Sequence, residues 1–359
     1  MLIGAVLGVF IVQGMERMDA QGYGMGQTLL LTALLCMGFY IGFYVQIALH
    51  EAGHLVFGLL TGYRFSSYRI GSLMWIRDGK KLRFKRFSLA GTGGQCLMIP
   101  PDMKDEQLPF VLYNLGGSLV NLCASIICFV LYAHFPQMLL VSPLLCLTGS
   151  IGVAFALLNG IPMNTGAVDN DGKNACSLGK HPAALHAFWV QMKVNEQLTR
   201  GKRLRDMPEE WFLFPAESTM QNSMVATLAV FACNRLSDEG RYEEADAQIE
   251  RLLVMESGII GVHRNLLVCD RIWYELTHQN RKEVVERLLT REQRSFMRTM
   301  KRFPSVIRTE YALAALFERD TAKAAATLAL FERVAKHYPY PSDIESEREL
   351  LRLVADKTV

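Results

Sequence analysis

The sequence predicts a polytopic α-helical membrane protein with about four spans, a small β-hairpin at the membrane surface and a soluble all-α C-terminal domain. Three observations carry that prediction. Residues 1–163 hold three long stretches without charge, and a bilayer crossing needs about 20 apolar residues. Between them, residues 64–86 collect Arg64, Arg69, Arg77, Lys80, Lys81, Arg83, Lys85 and Arg86 against one acid, Asp78. From about residue 180 the chain is rich in Arg, Glu, Lys and Ala, the composition of soluble helix. The average of 50% apolar residues over 359 positions hides this division. The expected organisation is a membrane-embedded domain over residues 1–176, a linker or juxtamembrane helix over 177–207, and a soluble helical domain over 208–359.

Residues 1–12 are apolar but short, with neither a basic leader nor a clear small-residue cleavage site, and read as a short first span. The polar residues 13–27 read as an exterior loop, and the second span runs over about 28–60. Residues 71–87 alternate around Asp78-Gly79, a hairpin turn signal. Residues 91–95 read as a glycine-rich connector; they lack the GKS or GKT of a phosphate loop. The third span is expected at 108–133 and the fourth at 138–163, antiparallel neighbours because only four residues join them. A basic segment directly after a span is read by the positive-inside rule as cytoplasmic, not as a nucleic-acid site. That places the hairpin and the helical region on the cytoplasmic side of the cell membrane, which the compact architecture suggests is a bacterial plasma membrane. The net charge of +3 adds nothing further, and eight cysteines without a CxxC pair make no disulfide framework. In the helical region, Asp238-Glu239-Gly240-Arg241 followed by Tyr242 to Ala245 resembles one tetratricopeptide-type hairpin. A second unit is suggested around residues 311–317 and 321 onward. The period is poorly kept, and an irregular helical bundle stands as the equal alternative.

The chemistry begins at His50-Glu51-Ala52-Gly53-His54, at the end of an uncharged apolar run. On a helix His50 and His54 are one turn apart and reach one metal ion, while Glu51 is placed to take a proton from metal-activated water. Two histidines and a carboxylate beside a membrane span are costly without a purpose, so the combination points to an intramembrane metalloprotease. A third protein ligand is needed. The candidates lie where glycine and proline break the fourth span, in Asn159-Gly160-Ile161-Pro162 and in Asp169-Asn170-Asp171-Gly172. Irregular backbone at membrane depth is tolerated where it lines a cavity or is buried in protein.

Over about residues 28–176 the chain resembles the site-2 protease family of intramembrane zinc metalloproteases. The resemblance rests on the HExxH helix, on Gly117-Ser118-Leu119-Val120-Asn121, which looks like the family's G-P-x-x-N element with serine for proline, and on residues 159–162 followed by Asp171-Gly172. It implies that His50, His54 and Asp171 bind Zn2+ and that Glu51 is the general base. Asp171 is favoured over Asp169 because glycine follows it. Asn121 and Asn159 are implied near the site, holding substrate backbone or stabilising the oxyanion; for Asn121, helix-to-helix hydrogen bonding is an even alternative. The implied substrate is a transmembrane or signal-peptide-like segment that unwinds locally; the alternation of residues 71–87 further suggests that the hairpin pairs with it by edge addition. Two rivals differ in class: a membrane-anchored adaptor whose helical region binds a protein partner and whose metal site is vestigial, and a metal-binding transporter. Glu51 argues against the first, and the scarcity of intramembrane charge against the second.

Overall fold

The computed structural model describes residues 24–79, 81–87, 92–138, 140–163 and 169–358, with a few isolated residues before 24. The short first span expected at residues 1–12 and the loop after it lie almost wholly outside the described residues. Among the described residues, three helices are long and apolar enough to cross a membrane: α1 (Met25–Leu60), α2 (Val111–His134) and α3 (Val141–Gly160). At 36 residues α1 is about 54 Å long, well beyond the roughly 30 Å of a hydrocarbon core. Each helix keeps a broad apolar face uncovered, as at Leu29, Ile126, Ile127 and Leu158. Such faces suit lipid and are unfavourable in water.

The three helices pack on one another through residues that lack bulk. A Cβ on Gly53 of α1 would stand 2.2 Å from the Gly116 carbonyl oxygen of α2. One on Gly152 of α3 would stand 2.3 Å from Ser125 Oγ of α2 and 2.6 Å from Gln46 Nε2 of α1. Glycine at these crossings lets the backbones meet closely.

The expected hairpin is present as β2 (Leu73–Asp78) and β3 (Lys81–Arg86), paired from Leu73↔Arg86 to Asp78↔Lys81. Gly79 takes φ +60° in its turn, where a side chain would be strained. The hairpin is half of a larger unit. β1 (Arg64–Ile70) and β4 (Gly94–Ile99) complete an antiparallel sheet in the order β3-β2-β1-β4. The stretch expected as a flexible connector over 91–95 therefore ends inside a strand, at Gly94 and Gln95. β1 does not alternate cleanly (Ser66, Ser67 and Arg69 are all buried), which masked it in the sequence.

After α3 the chain runs through the short α4 (Asp171–Ser177) into α5 (Pro182–Thr199). Ala184, Ala187 and Val190 of α5 bury in one core with Tyr63, Cys96 and Met98 at the sheet and with Val225 and Leu228 of α6 (Ser223–Asp238). Trp189 donates to the Pro101 carbonyl at 3.0 Å, and Lys193 pairs with Asp102 at 2.8 Å. Within the stretch expected as a linker or juxtamembrane helix, α5 thus ties the sheet to the helical region.

That region continues with α7 (Tyr242–Val254), α8 (Gly261–Tyr274), α9 (Lys282–Leu288), α10 (Arg291–Thr299), α11 (Pro304–Ala312), α12 (Thr321–Ala335) and α13 (Pro341–Asp356). The hairpin signal at residues 238–245 falls on the turn from α6 to α7. Gly240 has φ +79° there, and Ala245 is buried at the crossing. Helix lengths from α6 to α13 run from 7 to 16 residues, unlike the even period of a tetratricopeptide array.

Candidate metal centre

α1 carries His50, Glu51 and His54 on its inward side, all buried. α4 begins at Asp171 and meets them from the broken end of α3. His50 Nε2 lies 3.2 Å from Asp171 Oδ2, His54 Nε2 lies 3.4 Å from the same oxygen, and the two Nε2 atoms are 3.3 Å apart. Of the two candidate carboxylates, the structure brings Asp171 to the histidines. Asp169 instead pairs with Lys173 at 2.7 Å.

The outer ring nitrogens explain why the inner ones converge. His50 Nδ1 is 2.7 Å from Asn121 Oδ1, and His54 Nδ1 is 2.8 Å from the Tyr113 carbonyl oxygen. Both partners accept, so each ring donates from Nδ1 and presents the lone pair of Nε2. Two such lone pairs and a carboxylate oxygen then face one another across 3.2–3.4 Å. That arrangement is repulsive unless a cation sits among them. The edges also match a tetrahedral ion with bonds of about 2.0–2.1 Å, whose ligands stand about 3.3 Å apart. The residues present therefore fit a divalent metal held by two imidazoles and one carboxylate.

Asn121 is fully buried and fully engaged. Its Nδ2 donates to the Gln46 carbonyl at 2.9 Å and to Gln46 Oε1 at 2.7 Å, while Gln46 Nε2 donates to the Thr148 carbonyl of α3 at 3.0 Å. The chain Thr148–Gln46–Asn121–His50 thus spans all three membrane helices. Asn159 is elsewhere. Its amide donates to the Phe155 carbonyl of its own helix at 3.0 Å, and it has no polar contact with the cluster.

Glu51 has no hydrogen-bond partner among the described residues. Its Oε1 faces β4, where a Cβ on Gly94 would come within 2.6 Å. The strand beside Glu51 is therefore β4, whereas the free edge of the hairpin is β3. Gly117 serves the opposite side: a Cβ there would stand 2.5 Å from the His50 ring.

Two residues that the motifs did not single out hold this geometry. Gln46 is a lone amide in an apolar run one turn before His50, and that isolation is its only signal. Asn170 caps α4. Its Oδ1 accepts from the Met163 and Lys173 backbone, both at 3.0 Å, and its Nδ2 donates to the Leu158 and Ile161 carbonyls at 2.7 and 2.6 Å. It ties the frayed end of α3 to the start of α4, and Asn before a helix is the available sequence signal.

The family model described as peptidase family M50 matches residues 38–333. The chain belongs to peptidase family M50. No curated protein and no solved structure matches it. Membership makes this M50 protein a membrane metallopeptidase of the site-2 protease type. The match also runs past residue 176, where the motif resemblance stopped, and takes in most of the helical region.

Proposed function

We propose that this M50 protein is a zinc-dependent intramembrane endopeptidase that cuts a transmembrane or signal-peptide-like segment. The observation that carries the reading is the convergence of His50 and His54, on a helix apolar enough to span a membrane, with Asp171 on one point, beside a Glu51 that has no hydrogen-bond partner among the described residues. His50, His54 and Asp171 would hold the ion. A zinc ion bound there supplies Lewis acidity, polarising the scissile carbonyl and making water a better nucleophile near neutral pH.

The chain's own residues do the rest. Glu51 takes the proton of the attacking water and returns it to the leaving amine. Its freedom from hydrogen bonds leaves it able to do both. Asn121 and Tyr113 fix the tautomers of His50 and His54. With both of its amide atoms engaged, Asn121 acts as a positioning residue for His50 rather than as a substrate ligand. The scissile segment must be extended, because a helical amide is shielded by its own hydrogen bonds. An extended segment reaches Glu51 most directly alongside β4, where Gly94 leaves room. In this reading the sheet and the helical region are cytoplasmic.

The test compares wild type with Glu51→Gln, His50→Ala and Asp171→Ala, measuring metal content and cleavage of co-expressed membrane substrates. Wild type is expected to hold about one zinc per chain. Glu51→Gln keeps it and loses cleavage; the other two lose both. Normal cleavage by Glu51→Gln removes the mechanism.

A further inference from the structure

The helical region holds a second site that the peptidase chemistry does not use. A cavity of about 280 Å³ lies where α5, α6, α8, α11 and α13 meet. None of its lining residues belongs to α1–α4. By the volume of liquid water it has room for roughly nine waters, or for one long side chain.

Its charge does not balance. The carboxyls of Asp238, Asp270, Asp343 and Glu347 line it, against the guanidinium groups of Arg203 and Arg308. Arg203 is already matched by Asp238 at 2.6 Å and by Glu349 at 2.5 Å. Arg308 is matched by Asp270. Glu347 stands 3.5 Å from Arg308, and its Oε2 makes no hydrogen bond. Asp343 has no ion pair or hydrogen bond among the described residues. These two acids are one turn apart on α13 and share a face. Beside them the Ser342 hydroxyl lines the same cavity; the residue is only 2% exposed, and its oxygen has no partner. A buried hydroxyl, an unpaired carboxyl at Asp343 and a Glu347 carboxyl that shares Arg308 with Asp270 are costly unless something further pairs with them. Burial, with Glu347 and Asp238 nearby, pushes Asp343 up to about 7. Burial and Asp270 push Glu347 up to about 7 as well, against the pull of Arg308.

The rest of the wall is mixed: Asn234, His263 and Ser305 line it, but Phe231, Leu266 and Phe303 give it an apolar side. A bare inorganic cation has no use for such a wall. A group with an alkyl stem and a cationic head uses both parts. We infer that this cavity binds a basic side chain, arginine or lysine, of a polypeptide docked on the helical region, with its head between Asp343, Glu347 and the Ser342 hydroxyl. With the helical region cytoplasmic, as the proposed function has it, a partner is at hand wherever this protein meets another membrane protein, because basic residues flank membrane segments on that side.

The test is calorimetric titration of the full-length protein with a blocked Ala-Ala-Arg-Ala-Ala peptide. The same peptide with citrulline in place of arginine keeps shape and hydrogen bonding but removes the charge. The arginine peptide is expected to bind about tenfold tighter or more, the scale of one well-placed charge pair. Asp343→Asn with Glu347→Gln, both near-isosteric, should reduce its affinity to the citrulline level while the melting temperature does not fall. Equal binding of the two peptides, no binding of either at millimolar concentration, or full affinity in a folded double variant overturns the proposal. Binding of spermidine or calcium without binding of the arginine peptide overturns its polypeptide part. No cleavage is read, so failure here leaves the peptidase reading intact, and an inactive peptidase leaves this site standing.

Discussion

His50 uses its two ring nitrogens for different work, and the residues behind it decide which does what. Asn121 accepts a hydrogen bond from Nδ1, and Gln46 holds Asn121 in the orientation that makes its oxygen the acceptor. Gln46→Leu keeps the size and the apolar character of the span but leaves the Asn121 amide unpartnered on that side. Loss of such support for a metal-binding histidine costs about 10–100-fold in metal affinity. Competition with a fluorescent chelator should show a loss in that range for Gln46→Leu, with Gln46→Glu recovering part of it through the retained Oε1 acceptor. An unchanged affinity in both would mean that Asn121 is oriented without Gln46. Gly117→Ala acts on the same ring by volume, since its Cβ would be 2.5 Å from the imidazole. It should lower zinc occupancy as strongly as Asn121→Ala, read by metal analysis of the purified protein.

Among the elements, α4 matters beyond its seven residues. It is too short to be stable alone. Asn170 supplies the missing definition with four hydrogen bonds, and Gly172 lets α4 lie against the end of α3, where a Cβ would be 2.2 Å from the Gly160 carbonyl oxygen. Asn170→Ala should therefore release Asp171 without touching a ligand. The expected result is reduced zinc occupancy and cleavage, with His50 and His54 still able to bind metal weakly. A variant with full occupancy would show that the α3–α4 turn holds without its cap. Gly172→Ala should be worse than Asn170→Ala, because the clash is with backbone that cannot rotate away.

For the whole molecule, the sheet and the helical region do not read as separable bodies. Val225 and Leu228 of α6 share a core with the sheet through α5, and Phe87, just after β3, packs edge-on against Tyr338 and Tyr340 near α13. Deleting everything after residue 205 strips part of that core, so the remaining membrane region should melt at a lower temperature than the full chain, as a detergent-phase unfolding scan would show. The acid-lined cavity adds a pH dependence. Asp343 and Glu347 bind protons more tightly folded than unfolded, at about 7 against ordinary values of 3.8 and 4.5. Folded-state stability from these groups is thus greatest at acid pH and is lost as pH rises toward and through 7. Burial lowers His263 below its ordinary 6.5, so its opposing effect is confined to pH below that value. Of the other groups facing the cavity, Asp238 is held below the usual carboxylate range and Asp270 is raised, while Arg203 and Arg308 stay charged. The melting temperature should fall by about 2–4 °C or more between pH 6.5 and 8.5. Asp343→Asn with Glu347→Gln should flatten that slope; an undiminished slope would assign it to other groups. On topology, a cysteine placed at Ser237 should resist membrane-impermeant reagents added outside the cell. External labelling would reverse the orientation.

Three of the four expected spans, the hairpin and the HExxH helix were legible in the sequence because each is a local pattern: apolar length, alternation around Asp78-Gly79, and a one-turn spacing of histidines. Residue type and spacing were enough to name His50, Glu51, His54 and the pair Asp169 and Asp171. The choice between those two carboxylates on physical grounds belonged to the tertiary structure, since Lys173 captures Asp169 while the cap at Asn170 turns Asp171 toward α1. So did the role of Asn121, whose partners lie 71 and 75 residues away in sequence, and the separation of Asn159 from the site. β1 and β4 escaped notice for the same reason. Their burial comes from α1 and α5 packing over them, and a strand whose polar residues are covered by distant helices carries no alternation of its own. A sequence records what each residue can do with near neighbours. Which lone pairs meet across a helix crossing depends on how closely the backbones approach, and here glycines at positions 53, 116, 117 and 152 set that approach.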